Sequence, residues 1–149
     1  MRILGLDIGD KTVGVAVSDP LLISAQGVTT IERVGIRKDT TKVLEYIKQY
    51  ECDAVVAGLP LMLSGEDSPQ TAKVREFVDM LNNKMHSNGI KYDVVFQDER
   101  FTTKIAENVL IEADMSRKKR GQIIDRQAAI IILQSYLDAN RDRLRSLEK

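Results

Sequence analysis

The chain has 149 residues, with 22 Lys and Arg against 22 Asp and Glu, one histidine (His86) and one cysteine (Cys52). Zero formal charge excludes a histone-like protein that holds nucleic acid by bulk charge alone, a lone cysteine excludes an internal disulfide, and one histidine with one cysteine excludes the usual zinc sites. A single domain over residues 1–149 is expected, cytoplasmic, with no membrane-length apolar stretch and no signal-like start, because Asp7 interrupts the first apolar segment.

Ile3-Leu4-Gly5-Leu6-Asp7-Ile8 reads as a strand, Gly9-Asp10-Lys11-Thr12 as a turn and Val13-Gly14-Val15-Ala16-Val17-Ser18 as a second strand. The hairpin carries Asp7 near the tip of its first strand. An ionised carboxylate in an apolar strand needs a cation, a hydrogen-bond network or a raised pKa. Metal ligation is one reading, and an Asp satisfied by its own turn amides is the other. Gly5 and Gly9 lie two residues to either side, on Asp7's face of the pleat, where a missing side chain leaves room for an approaching metal ion with a phosphate.

Residues 23–31 read as a third strand, and residues 37–50 as a helix with Val43, Leu44, Ile47 and Tyr50 on one face. Ala54-Val55-Val56-Ala57-Gly58 is a continuous apolar run of the kind buried on both sides of a sheet, and it ends at Leu59-Pro60. Ser68-Pro69 is a helix start, N-cap followed by proline, for a helix that Asn88-Gly89 stops. Residues 92–96 read as a fifth strand, 102–113 as a helix, and 124–143 as a terminal helix with Ala128, Ala129, Ile132, Leu133 and Tyr136 on one face. Cys52, small and just before a strand, reads as packed.

The order βββαβαβαα predicts an α/β domain of ribonuclease H-like type. Its five-stranded mixed sheet has an antiparallel meander followed by parallel strands, with helices on both faces. Ligands of such sheets sit beyond the carboxyl ends of the strands near a change of strand order, where Asp7 and Asp98-Glu99-Arg100 converge. Asp125, at the start of the terminal helix, shares the side of its apolar stripe. It is either a helix-dipole or capping acid or a third ligand.

Three carboxylates at element ends suit divalent-metal phosphodiester chemistry, in which hard ions such as magnesium or manganese take oxygen ligands. No Walker A loop and no Gly-x-Ser-x-Gly elbow competes with that reading. Arg117-Lys118-Lys119-Arg120, expected as a loop leading into the helix of Asp125, is either solvated surface or a phosphate grip. Lys11 in the hairpin turn is a further candidate phosphate contact, and Arg100 either anchors Glu99 or holds phosphate.

Gly5-Leu6-Asp7-Ile8-Gly9 with Gly14 to Asp19, Gly58-Leu59-Pro60-Leu61, Asp98-Glu99-Arg100-Phe101-Thr102-Thr103, and Asp125 with Ala128-Ala129 resemble the YqgF or RuvX family. The resemblance covers almost the whole chain. It implies a ribonuclease H-like fold, catalytic acids at Asp7, Glu99 and Asp125, and activity as a Holliday-junction resolvase or as a nuclease maturing the 5′ end of pre-16S ribosomal RNA. The chain departs from the family pattern at Thr12, Phe101 and Met62. Compared with a resolvase of the RuvC type, it has Gly58 where that type has an acid.

The expected function is thus a metal-dependent nuclease on structured nucleic acid, with RNA precursor processing favoured on the resemblance alone. A monomer or a homodimer would serve. Three alternatives stay open: a junction resolvase acting on DNA, a nucleotide-binding domain of the actin or sugar-kinase type, and a ribosome-assembly factor that binds RNA without cutting it.

Overall fold

The computed structural model describes residues 1–98 and 117–148; of the last helix it describes the side chains of residues 127–140 and 142–144. Strands β1 (Ile3–Ile8) and β2 (Thr12–Ser18) are buried along almost their whole length because both faces of the sheet are covered. With β3 (Ala25–Glu32), β4 (Ala54–Leu59) and β5 (Val95–Asp98) they form one sheet in the order β3-β2-β1-β4-β5. The first three strands pair antiparallel, and β4 and β5 add in parallel, as the element order predicts.

Helices α1 (Ile36–Gln49) and α2 (Pro69–Ser87) cover one face, where Leu4, Leu6, Val13, Val15, Val55 and Phe77 are fully buried. Each such side chain stabilises the fold by about 1.5–3 kcal/mol. The opposite face, with Ile3, Ala16 and Val56, receives helix α3 (Arg117–Glu148) through Ala129, Leu133 and Leu137. Small residues on both partners let that helix approach closely. The expected start of α2 is found: the Ser68 hydroxyl accepts from the Thr71 amide while the Thr71 hydroxyl accepts from the Ser68 amide, with Pro69 next. Cys52 is buried just before β4, and burial pushes its thiol up to about 12, so it is packed rather than reactive.

Three element starts differ from the sequence expectation by two residues or more. β3 starts at Ala25 rather than 23, because the Asp19 carboxylate takes the amides of Ile23 and Ser24 at 2.7 and 2.9 Å and folds them into a turn. β5 starts at Val95 rather than 92: the Val94 amide donates to the Asn82 side chain at 2.9 Å instead of to a neighbouring strand, and the Tyr92 hydroxyl donates to the Cys52 carbonyl at 2.6 Å. The terminal helix starts at Arg117 rather than 124, so Arg117, Lys118, Lys119 and Arg120 occupy its first turns and form no loop. Lysine and arginine are good helix formers, and one interior glycine, Gly121, costs only about 1 kcal/mol. The helix expected over 102–113 lies outside the described residues.

Candidate active site

Asp7 is the next-to-last residue of β1 and is half-buried on the face that α3 covers. Its antiparallel partner on β2 is Gly14. On the other side, the parallel ladder pairs Leu6 with Ala57, so one step further Asp7 stands beside Gly58. Glycine on both flanks means that neither adjoining strand places a side chain beside this carboxylate.

The glycines singled out by spacing along β1 serve other ends. A Cβ on Gly5 would lie 2.7 Å from the Leu133 Cβ and 3.3 Å from the Ala129 carbonyl, so α3 already fills that space. The Gly9 amide donates to the Thr12 carbonyl at 2.9 Å and closes the hairpin turn. The expectation that Gly5 and Gly9 leave room for a ligand is therefore corrected. The lateral neighbours Gly14 and Gly58, not the neighbours along the chain, adjoin the acid.

The contact at Gly5 also fixes the direction of α3. Gln134 bonds the Ile23 carbonyl at 3.1 Å and the Ala25 amide at 3.0 Å, at the beginning of β3. Tyr136, Leu137 and Leu144 cluster with Ile3, at the beginning of β1. The helix thus runs antiparallel to β1, and its earlier turns lie toward Asp7. The backbone of Asp125 is one turn before Ala129, about 6 Å along the helix, which matches the roughly 6.6 Å from Gly5 to Asp7 along the strand.

Asp98 ends β5 and pairs with Leu59. Glu99 and Arg100 follow it and lie outside the described residues, as do the side chains of Asp125 and of Arg117, Lys118, Lys119 and Arg120. Among the described residues no three His, Cys, Asp or Glu side chains gather into a metal-holding group. The donor available at the strand end is an oxygen acid, which fits a hard divalent cation rather than a thiolate- or imidazole-seeking one.

The turn beyond Asp7 is held by side chains from α2 and from the connection between β3 and α1. Gln70 of α2 donates to the Ile8 carbonyl at 3.3 Å, Arg33 donates through Nη1 to the Gly9 carbonyl at 2.9 Å, and Lys73 pairs with Asp10 at 3.1 Å. Lys11 is exposed, and its carbonyl accepts from the Arg33 amide at 2.8 Å. Behind the turn lies a cleft of about 440 Å³ whose walls include Asp10, Arg33, Asp39, Lys73 and Glu76. Asp39 has no exposed side-chain surface. Burial pushes its pKa up, but the Val34 and Gly35 amides and Arg33 outweigh that and hold it below the usual carboxylate range.

Sequence reasoning missed Arg33, Asp39 and Gln70. A signal for Asp39 was present, since Asp39 and Thr40 extend the inward stripe of Val43, Leu44 and Ile47 by one turn. Of the departures from the family pattern, Thr12 is half-buried at the start of β2. Met62 is 50% exposed in a tight turn beyond β4 that the Leu61–Asp67 bridge closes.

A family model described as "RuvX: Holliday junction resolvase" matches residues 1–139. A protein of Clostridium tetani (strain Massachusetts / E88) named "Putative pre-16S rRNA nuclease" is 46% identical over 139 residues, covering 93% of this chain and 97% of that one. One of the same name from Clostridioides difficile (strain 630) is 50% identical over 137 residues, covering 92% and 94%. Among solved structures, Thermus thermophilus RuvC in complex with Holliday junction substrate superposes with TM-score 0.59 at 17% identity over 95% of this chain and 96% of that one. The fowlpox virus Holliday junction resolvase gives 0.57 at 15% identity over 93% and 99%. At such identities these structures speak for the fold, which is ribonuclease H-like.

Proposed function

The chain belongs to the RuvX family, and on that premise we propose that residues 1–149 act as one metal-dependent nuclease that hydrolyses phosphodiester bonds in structured nucleic acid. The favoured substrate is the 5′ end of pre-16S ribosomal RNA. The observation that carries the reading is the half-buried carboxylate of Asp7 at a strand end, flanked on both sides by glycine.

Asp7, Glu99 and Asp125 would hold magnesium or manganese. Glu99 is one peptide bond from Asp98 and therefore within about 4 Å of it, Cα to Cα. When bound, the metal supplies an activated water and a positive charge against the leaving oxygen. Asp7 orients that centre at the sheet end. Gly14 and Gly58 keep the neighbouring strands out of the way, so that a phosphate can come within reach of the acid. Lys11 meets the backbone as a point charge, and Arg100, Arg117, Lys118, Lys119 and Arg120 hold flanking phosphates, the arginines in bidentate fashion. The proposal is for a cytoplasmic enzyme.

The RNA preference rests on the names of the relatives, since no residue described distinguishes ribose from deoxyribose. A second reading, junction cleavage, is favoured by the family description. It would call for a dimer, because two symmetric cuts need a two-fold pair of sites.

The test is cleavage of three end-labelled substrates, a pre-16S 5′-end RNA, a single-stranded RNA and a four-way DNA junction, in magnesium, manganese or EDTA. The account expects the precursor RNA to be cut with metal and left intact in EDTA. Paired symmetric nicks in the junction, with the RNAs untouched, would move the assignment to the second reading. RNA binding without cleavage of any substrate would replace the nuclease with an assembly factor.

A further inference from the structure

Asp39 is an ionised carboxylate with no exposed side-chain surface in the first turn of α1. Removing such a charge from water costs several kcal/mol before its partners offset it, so the partners indicate what the arrangement accomplishes. It accepts from the Val34 amide at 3.1 Å and the Gly35 amide at 3.3 Å, and both bonds shape the entry to α1. The third partner, Arg33 Nε at 2.8 Å, is not needed for that purpose.

Arg33 faces the other way with the rest of its head. Its Nη1 reaches the Gly9 carbonyl, its guanidinium lies 5.2 Å above the Phe77 ring, and its own amide holds the Lys11 carbonyl. Gly9 and Lys11 belong to the turn that directly follows Asp7. One guanidinium therefore ties that turn to a buried anchor. A lysine could not do the same, because it lacks the rigid fork that serves two partners at once.

We propose that Arg33, oriented by Asp39, is a positioning residue for Asp7. It fixes the hairpin tip so that the carboxylate is ordered before a metal ion arrives. The proposal rests on the reading of Asp7 as a metal ligand. Its physical basis is preorganisation: a ligand on a loose turn must be ordered at the moment of binding, and that cost is subtracted from metal affinity and from the rate. The exposed pair of Lys73 with Asp10, both 60% exposed, cannot substitute, because surface ion pairs hold side chains only weakly.

The experiment measures Mn²⁺ binding by calorimetry, cleavage kinetics and thermal midpoint for the full-length wild type, Arg33→Lys and Arg33→Gln. Hydrogen exchange of the amides of residues 7–12 is followed in the same samples. The expected result for Arg33→Gln is a Mn²⁺ Kd raised about tenfold and kcat lowered about tenfold, with KM for RNA within about twofold and faster exchange at the turn. Arg33→Lys falls between, and remains informative if Arg33→Gln fails to fold. A folded variant with a lowered thermal midpoint but unchanged Mn²⁺ Kd and kcat would overturn the positioning role and leave the function untouched. Wild-type protein that binds no Mn²⁺ would overturn the reading of Asp7 and the proposal with it.

Discussion

Asp7 and Gly5 are two residues apart on one face of β1 and have opposite requirements. Gly5 is where α3 touches the sheet, and an added methyl would meet the Leu133 Cβ at 2.7 Å and the Ala129 carbonyl at 3.3 Å. Both obstacles, a Cβ and a backbone carbonyl, are fixed to the helix backbone and cannot rotate away, so the helix must shift. Gly5→Ala should therefore destabilise the protein by about 1–3 kcal/mol, the usual range for overpacking. Urea unfolding monitored by circular dichroism checks this, and an unchanged midpoint would mean that α3 does not pack as closely as described. Asp7 was legible in the sequence because a charge in an apolar strand is anomalous by itself. The role of Gly5 was not, because its partner is a helix near the other end of the chain.

At the scale of elements, what could be read locally was read correctly. Two apolar segments on either side of the Gly9-Asp10-Lys11-Thr12 turn gave β1 and β2, the unbroken apolar run gave β4, and serine before proline gave the start of α2. The boundaries that moved did so for reasons outside the local pattern. Tyr92 and Val94 alternate as a strand would, but the Asn82 side chain takes the Val94 amide before the sheet can. The start of α3 moved for the opposite reason: a basic run with no apolar period gives no amphipathic signal, although its residues favour helix. The candidate site followed the same division. The place of Asp7 near the end of β1 was legible, while the Arg33 and Gln70 bonds to the turn join segments far apart in sequence and leave no periodicity to detect.

For the whole molecule, the two helical layers are joined through one sheet whose carboxyl edge carries the acid. Stability should depend on pH through the carboxylates that the fold holds ionised. Asp19 is lowered by the Ser24 and Ile23 amides against a desolvation cost, Asp39 by its amides and Arg33 against burial, and Asp67 by the bidentate Arg75. A lowered native pKa means that the unfolded chain binds more protons in the acid range. The stabilisation is therefore fully present above the unfolded value of about 4 and is lost as pH falls through the native values. The urea midpoint should hold steady from pH 7 to about 5 and decline below about 4. Asp39→Asn should begin from a lower midpoint and decline less steeply, and equal slopes for variant and wild type would remove Asp39 from the account.

The central claim is that the oxygen acid at the end of β1 performs chemistry rather than merely closing a turn. The measurement that tests it most directly compares Asp7→Asn with the wild type, under single turnover in Mn²⁺, on whichever substrate the wild type cleaves. RNA affinity is measured alongside by gel shift, and the thermal midpoint is measured in the same preparation. The account predicts that the variant folds, binds the nucleic acid within about threefold of wild type and loses at least about a thousandfold in rate, as expected when a metal ligand is removed from the reacting centre. A variant that folds and cleaves within about tenfold of wild type would contradict it, because the loss would then be too small for a group that holds the catalytic ion.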